Sequence, residues 1–212
     1  IENKNTSKQF LYLDLLMTEA NGLLEIHEYY DNLNSIVVTP QQIYNEFSSG
    51  MQDVVAIRDF LKMLYKRQNS KLEYALLFGD GSYDNKNRIA NNTNFIPTFQ
   101  SENSLSPVQS FVTDDFFALL DDDDGDLISD LVDIGIGRFP AKNLNEAKNL
   151  VDKVERYYSE ESLGDWRNSI TFIADDGDAR DGNLHMSDAD KLANFLDTNN
   201  QNLNIEKIYL DN

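Results

Sequence analysis

Three groups of side chains in this sequence have the types and spacing to do chemistry. Asp80, Ser82 and Asp84 follow the apolar run Tyr74-Ala75-Leu76-Leu77-Phe78, which Gly79 ends abruptly. An unbroken apolar run between turn residues reads as a strand buried on both faces of a parallel sheet. Ligands of such sheets bind beyond the carboxyl ends of the strands, so these three side chains stand where polar function would be placed. Asp175, Asp176 and Asp178 follow a second such run, Ser169 to Ala174, also read as a buried strand. Carboxylates crowded at a strand end repel unless a cation or donors hold them, which makes the three candidate ligands of a structural Ca2+. Turn formation and helix capping account for the same aspartates. The third group, Asp121-Asp122-Asp123-Asp124-Gly125-Asp126, fails as an EF-hand. Its glycine in sixth place would put Leu120 first and Leu131 last, where carboxylates are needed. It reads instead as an acidic hairpin tip in water.

A nucleophile is harder to find. The sequence has no cysteine, so no thiolate, disulfide or thiolate metal site exists within it. His27 lies beside Glu25 and Glu28, and His185 between Leu184 and Met186. With no cysteine to serve and no G-x-S-x-G elbow present, both histidines read as structural. Gly135-Ile136-Gly137-Arg138 lacks the third glycine of a dinucleotide fingerprint. Its glycines read as close packing at a strand end, with Arg138 answering nearby aspartates. No catalytic or cofactor-binding residue is assigned, and the residues require no cofactor.

The elements that must position these groups alternate in kind. Phe10 to Leu16 has strand content, Thr18 to Tyr30 a helical spacing, and Ser35 to Thr39 is a β-branched strand closed by Pro40. Gln41 to Phe47 reads as a short helix with Pro40 in its first turn. Asp53 to Arg67 is the cleanest helix, with Val54, Ile57, Leu61, Leu64 and Tyr65 on one face and Arg58, Asp59, Lys62 and Lys66 on the other. The order β-α-β-α-α-β predicts an α/β fold, a mostly parallel sheet flanked by helices. Residues 85–110 form a long Asn- and Ser-rich loop in which Ile96-Pro97-Thr98 reads as a short edge strand. Phe116–Leu120 and Leu131–Ile136, flanking the acidic run, read as a hairpin or long β-excursion. Asn143-x-x-Glu146 is a capping box for a helix striped by Ala147, Leu150, Val151, Val154 and Tyr157. A polar connector, 159–167, separates a first α/β subdomain, 1–158, from a closing β-α-β stretch, 168–212. In that stretch Ser187 or Asp188 caps the helix and Ile205 to Leu210 is the last strand.

Composition narrows the class of protein. Over 212 residues, 41% hydrophobic and 11% aromatic content is that of a folded chain. A formal net charge of −19 repels phosphate backbones, which excludes nucleic acid as a partner. The chain opens without an initiator Met or an apolar signal segment and reads as a processed or excised piece of something longer.

Several blocks together resemble the gingipain-type cysteine peptidases. They are Ile43 to Tyr65, Leu76 to Asn87 (LLFGDGSYDNKN), Asn94 to Ser101, Phe111 to Gly125, DIGIGRFPA with EAKNLVDKVERYY, and WRNSITFIADDGD. They are most similar to the PorU-like branch, the surface sortases of the type IX secretion system in Bacteroidetes. The resemblance implies a caspase-like fold of two sheet-containing subdomains, the second incomplete here. The family's catalytic histidine and cysteine would lie later in that subdomain, and no position in this sequence matches either motif. It also implies thiolate attack on a peptide carbonyl, with protein or peptide substrates. In the PorU-like branch these are the C-terminal sorting domains of secreted cargo, removed as anionic lipopolysaccharide is attached. Implied with it are other secretion-system components as partners and an extracellular place at the outer-membrane surface. Two alternatives stand beside this one: a non-catalytic scaffold of a secretion complex, and a secreted gingipain-like protease.

Overall fold

The computed structural model describes residues 9–14, 17–102, 105–106, 109–124, 130–175, 177, 180 and 182–210. It divides into two units, Ile1–Tyr158 and Ser159–Asn212. In the first, the elements run β1 (Gln9–Asp14), α1 (Met17–Tyr30), β2 (Asn34–Val38), α2 (Pro40–Phe47), α3 (Val54–Tyr65) and β3 (Leu72–Phe78). Then follow β4 (Phe99–Gln100), β5 (Val112–Thr113), a 3-10 turn at Asp115–Ala118, β6 (Gly135–Phe139) and α4 (Leu144–Tyr158). Local chemistry sets several of these boundaries. Thr39 caps α2 in a capping box with Gln42, Pro40 occupies its first turn, and the Asp53 carboxylate accepts the Val55 N–H to start α3. Asn143 Oδ1 accepts the Glu146 N–H at 3.0 Å, and Glu146 returns a bond from the Lys142 N–H at 2.9 Å.

Four strands form one sheet in the order β2-β1-β3-β6, every neighbouring pair parallel. β3 therefore has a strand on each side, as its apolar run requires. Alternate residues of β3 feed two cores. Ala75 and Leu77 pack with Ile57 and Leu61 of α3 and Ile43 of α2. Leu76 and Phe78 pack with Leu23 of α1 and Val151 of α4. The first unit is thus a three-layer α/β/α sandwich. Tyr74 departs from the expected burial because its ring lies over Gly135 of β6, where a Cβ would come within 2.8 Å of it.

The hairpin expected around the acidic run is not there. Phe117, Ala118, Leu119 and Leu120 are buried, but as a 3-10 turn and irregular chain over the α2–α3 core. The strand that follows, β6, pairs parallel to β3 instead. The segment is fastened to the basic face of α3. Arg58 Nε donates to the Leu119 carbonyl at 2.6 Å, Lys62 Nζ to the Asp121 carbonyl at 2.8 Å, and Lys62 and Lys66 both meet the Asp122 carboxylate. The edge strand expected at Ile96-Pro97-Thr98 falls at Phe99–Gln100, paired antiparallel to Val112–Thr113. Ile96 is instead a fully buried core side chain.

The second unit holds two 3-10 turns (Glu160–Ser162, Asp165–Asn168), β7 (Ser169–Ala174), α5 (Leu184–Asn199) and β8 (Asn204–Tyr209). β7 and β8 pair in parallel. β7 is not the buried strand its composition predicts: Ser169, Thr171 and Ile173 are exposed, because within this unit a single helix covers a single face. Lys207 Nζ reaches Asp190 at 2.6 Å and Asn194 at 2.7 Å, which marks the covered face. α5 starts a turn before the expected Ser187 or Asp188 cap, at Asn183. Asp188 instead pairs with Lys191 at i,i+3. Among the described residues no helix is long and apolar enough to cross a membrane.

Candidate functional site

β1 and β3 are neighbours, yet the chain leaves β1 toward β2 on the other side, so the sheet order reverses between them. Such switch points open a crevice at the carboxyl ends of the strands. The segment leaving β3 at this end carries Asp80, Ser82 and Asp84. Gly79 and Asp80 extend the pairing past the strand, donating to the carbonyls of Phe139 and Ala141 at 2.9 and 3.0 Å. The Asp80 carbonyl then accepts from the N–H groups of Phe95 and Ile96, at 3.0 and 3.1 Å, which draws the far end of the long loop back to β3.

The three expected site residues have separate tasks. Asp80 accepts the Thr93 hydroxyl and faces an open cleft of about 440 Å3 lined by Ser82, Tyr83, Asn91, Thr98 and Val112. The Ser82 hydroxyl oxygen accepts the Asp84 N–H at 3.1 Å, and its own N–H donates to Asn94 Oδ1 at 2.9 Å. Asp84 is buried and builds the loop rather than facing the cleft. Its carboxylate accepts the N–H groups of Arg88 and Ile89, the latter at 2.7 Å, and Asn92 Nδ2 donates to its carbonyl at 2.8 Å. The Ile89 N–H above all holds the Asp84 carboxyl below the usual carboxylate range. Asn87 and Asn91 take the positive φ values that the loop turns require, 52° and 59°. The abundance of asparagine is therefore structural as well as polar.

Arg138 lines an adjoining hollow with Asp80, Gly81 and Thr98. Its Nε and Nη2 grip both oxygens of Asp114 at 2.7 Å each. Nη1 donates to the carbonyls of Gly79 and Ile96 at 2.9 Å, and Nη2 to that of Pro97 at 3.3 Å. All five guanidinium N–H groups are thereby used, on three chain segments. The pair is largely buried, at 12% and 23% side-chain exposure. The expected link from Arg138 to nearby aspartates is present, but its three carbonyl partners lie 41 to 59 residues away and carry no sequence signal.

His27, in the last turn of α1, has Nδ1 at 2.6 Å from Asp31 Oδ2, an oxygen that also accepts the Tyr158 hydroxyl at 2.5 Å. Burial raises the Asp31 carboxyl, but the bonds from Tyr158 and His27 outweigh it and the net shift is downward. His185 is exposed on the first turn of α5. Asp175 directly follows β7, while Asp176 and Asp178 lie outside the described residues. Among the described residues no group of three or more His, Cys, Asp or Glu could hold a metal ion.

A parallel sheet covered by helices, with its polar loops gathered at the strands' carboxyl ends, is the frame of an open α/β domain that takes its ligands at that end. The chain belongs to peptidase family C25, whose model matches residues 6–212. Among solved structures it is similar to dimeric latent PorU from Porphyromonas gingivalis, at 33% identity and a TM-score of 0.64. That match covers 78% of this chain and 17% of the PorU chain. The complex of the pro- and mature domains of RgpB from the same organism matches at 17% identity and a TM-score of 0.65, over 97% of this chain and 42% of that one. The Arg-specific cysteine proteinase gingipain R (RgpB) matches at 18% and 0.68, over 99% and 43%. The chain thus spans less than half of each of these proteins. No curated protein sequence matches it. The gingipain-type relation read from the sequence blocks is thereby established, and with it the α/β fold.

Proposed function

We propose that these residues belong to the first part of the catalytic domain of a PorU-like cysteine peptidase, a sortase that removes the C-terminal sorting domains of secreted cargo. Removal is coupled to attachment of the cargo to a surface lipopolysaccharide. One observation carries the reading: identity to PorU is 33%, against 17% and 18% to the two RgpB structures, at similar TM-scores. A thiolate elsewhere in the whole protein would attack the peptide carbonyl, a histidine would take and return the proton, and the acyl group would pass to water or an amine. The residues described here supply the rigid half-sheet and the loops that border the cleft. The setting would be the outer-membrane surface, with secretion components as partners. A Ca2+ held by Asp175, Asp176 and Asp178 belongs to the same proposal.

The test incubates the full-length protein with a secreted substrate carrying its C-terminal sorting domain and follows intact mass. Release of that domain, with a mass gain on the cargo when lipopolysaccharide is supplied, is expected. Cleavage at many sites with no transfer would favour a general secreted protease. No cleavage at all would favour a scaffold.

A further inference from the structure

The cleft beside Asp80 does not end at Tyr83. A second hollow of about 400 Å3 lies between Tyr83, Gln100, Phe111 and Val112, and a third of about 270 Å3 between Gly81, Thr98, Asp114 and Arg138. Val112 lines all three, so together they form one open trough across the end of the sheet. Its floor is one face of the β4–β5 ribbon. Gln100 and Val112 are directly opposite in the antiparallel register, so their side chains share a face. Phe99 turns the other way and stacks on Phe116 at 4.4 Å. The period of two then brings Thr98 to the same face as Gln100.

The trough is built before anything binds. Arg138 ties the end of β3 to the start of β4 and to Asp114, and Gly81 lets the walls approach, since a Cβ there would stand 2.7 Å from Thr98 Cγ2. A preformed groove spares a ligand part of the ordering cost. Its chemistry is mixed at short intervals. Val112 and Tyr83 are 54% and 72% exposed, Gln100 lines the hollow with its Nε2 donating to the Tyr83 carbonyl at 2.7 Å and its side-chain oxygen facing as an acceptor, and the Thr98 hydroxyl is buried without a partner among the described residues. Asp80 has no cationic partner among the described residues, and the chain carries a net −19, so phosphate-bearing ligands are repelled. A floor that sets polar Thr98 and Gln100 on one strand beside apolar Val112 on the other suits an extended polypeptide, whose side chains and amides recur with the strand period.

We propose that this trough binds an extended, uncharged or cationic stretch of the polypeptide substrate, a proposal that rests on the peptidase reading above. The test uses the full-length protein with its thiols alkylated by iodoacetamide, a reagent that finds no cysteine in these 212 residues. A fluorescein-labelled, unfolded peptide of Thr, Val, Ser and Lys is titrated and its anisotropy followed, beside the same peptide with Glu for Lys. Wild type should bind the Lys peptide more tightly than the Glu peptide. Tyr83→Ala and Val112→Asp should each weaken binding about tenfold with the thermal midpoint unchanged, since both side chains are mostly exposed. Gln100→Ala replaces either variant whose midpoint falls. No binding, equal binding by wild type and variants, or preference for the Glu peptide would overturn the proposal. Peptidase activity of unalkylated protein separates the two claims. An inactive protein that still binds through Tyr83 and Val112 overturns the peptidase reading alone, and an active one whose binding ignores both residues overturns the trough alone.

Discussion

Removing the fork of Arg138 should cost more stability than any other single polar change in the first unit. The side chain is 12% exposed and its partner Asp114 23%, and five donors are committed on three segments. Arg138→Met leaves Asp114 as a largely buried carboxylate without its cation and orphans the carbonyls of Gly79, Ile96 and Pro97. Breaking one side of such a pair costs about 3–5 kcal/mol. Arg138→Lys keeps the charge but replaces a planar five-donor fork by a point charge with three donors. At least two hydrogen bonds are lost, for about 2–4 kcal/mol at the charged-group value of roughly 1.5–3 each, less what a shifted ammonium recovers. Arg138→Met combined with Asp114→Leu should regain part of the loss, because no charge is then stranded. Urea unfolding of the 212-residue chain followed by tryptophan-independent far-UV signal reads these midpoints at constant m. Equal midpoints for wild type and Arg138→Lys would refute the reasoning, and so would a double variant no better than Arg138→Met.

Three further outcomes follow from the same geometry. Gly81→Ala puts a methyl 2.7 Å from Thr98 Cγ2 and 3.0 Å from the Ile96 carbonyl, and should destabilise by about 1–3 kcal/mol in the same urea assay. Asp84 has a folded pKa below its ordinary 3.8, so its contribution is complete above that value and is lost as pH falls through the depressed one. Hydrogen-exchange protection of the Ile89 amide should therefore hold from neutral pH down to about 5 and fall below about 4, and Asp84→Asn should lower it at neutral pH but converge with wild type at the acid end, where Asp84 is itself neutral. The Asp122 contacts to Lys62 and Lys66 are solvent-exposed, so Asp122→Asn should leave the urea midpoint unchanged at physiological salt.

How far the sequence could be read depends on the range of the interactions involved. α3 was legible because Val54, Ile57, Leu61 and Leu64 repeat at helical spacing and Asp53 caps them, all within one stretch. β3 was legible because a strand with neighbours on both sides needs apolar residues on both faces. Phe116 to Leu120 misled for the same reason. Its apolar content answers to burial over the α2–α3 core, and burial by a covering turn looks the same in composition as burial in a strand. β7 misled in the opposite sense, with strand composition in a unit whose one helix covers one face. At the cleft, Asp80 was placed correctly by its position after β3, whereas the burial of Asp84 depends on amides four and five residues on and could not be seen. Tyr83, Thr98 and Val112 were missed because a loop tip and two short strands meet only in space.

The chain belongs to peptidase family C25 and has no cysteine of its own, so the proposed thiolate nucleophile stands outside these residues. The most direct test treats the full-length protein with a peptidyl acyloxymethyl ketone, which alkylates a thiolate poised to attack a carbonyl, and maps the adduct by tandem mass spectrometry. An adduct on one cysteine outside this sequence, with peptidase activity lost in proportion to labelling, is the predicted result. Activity that survives complete labelling of every cysteine, or an adduct on a residue within the 212, would contradict it.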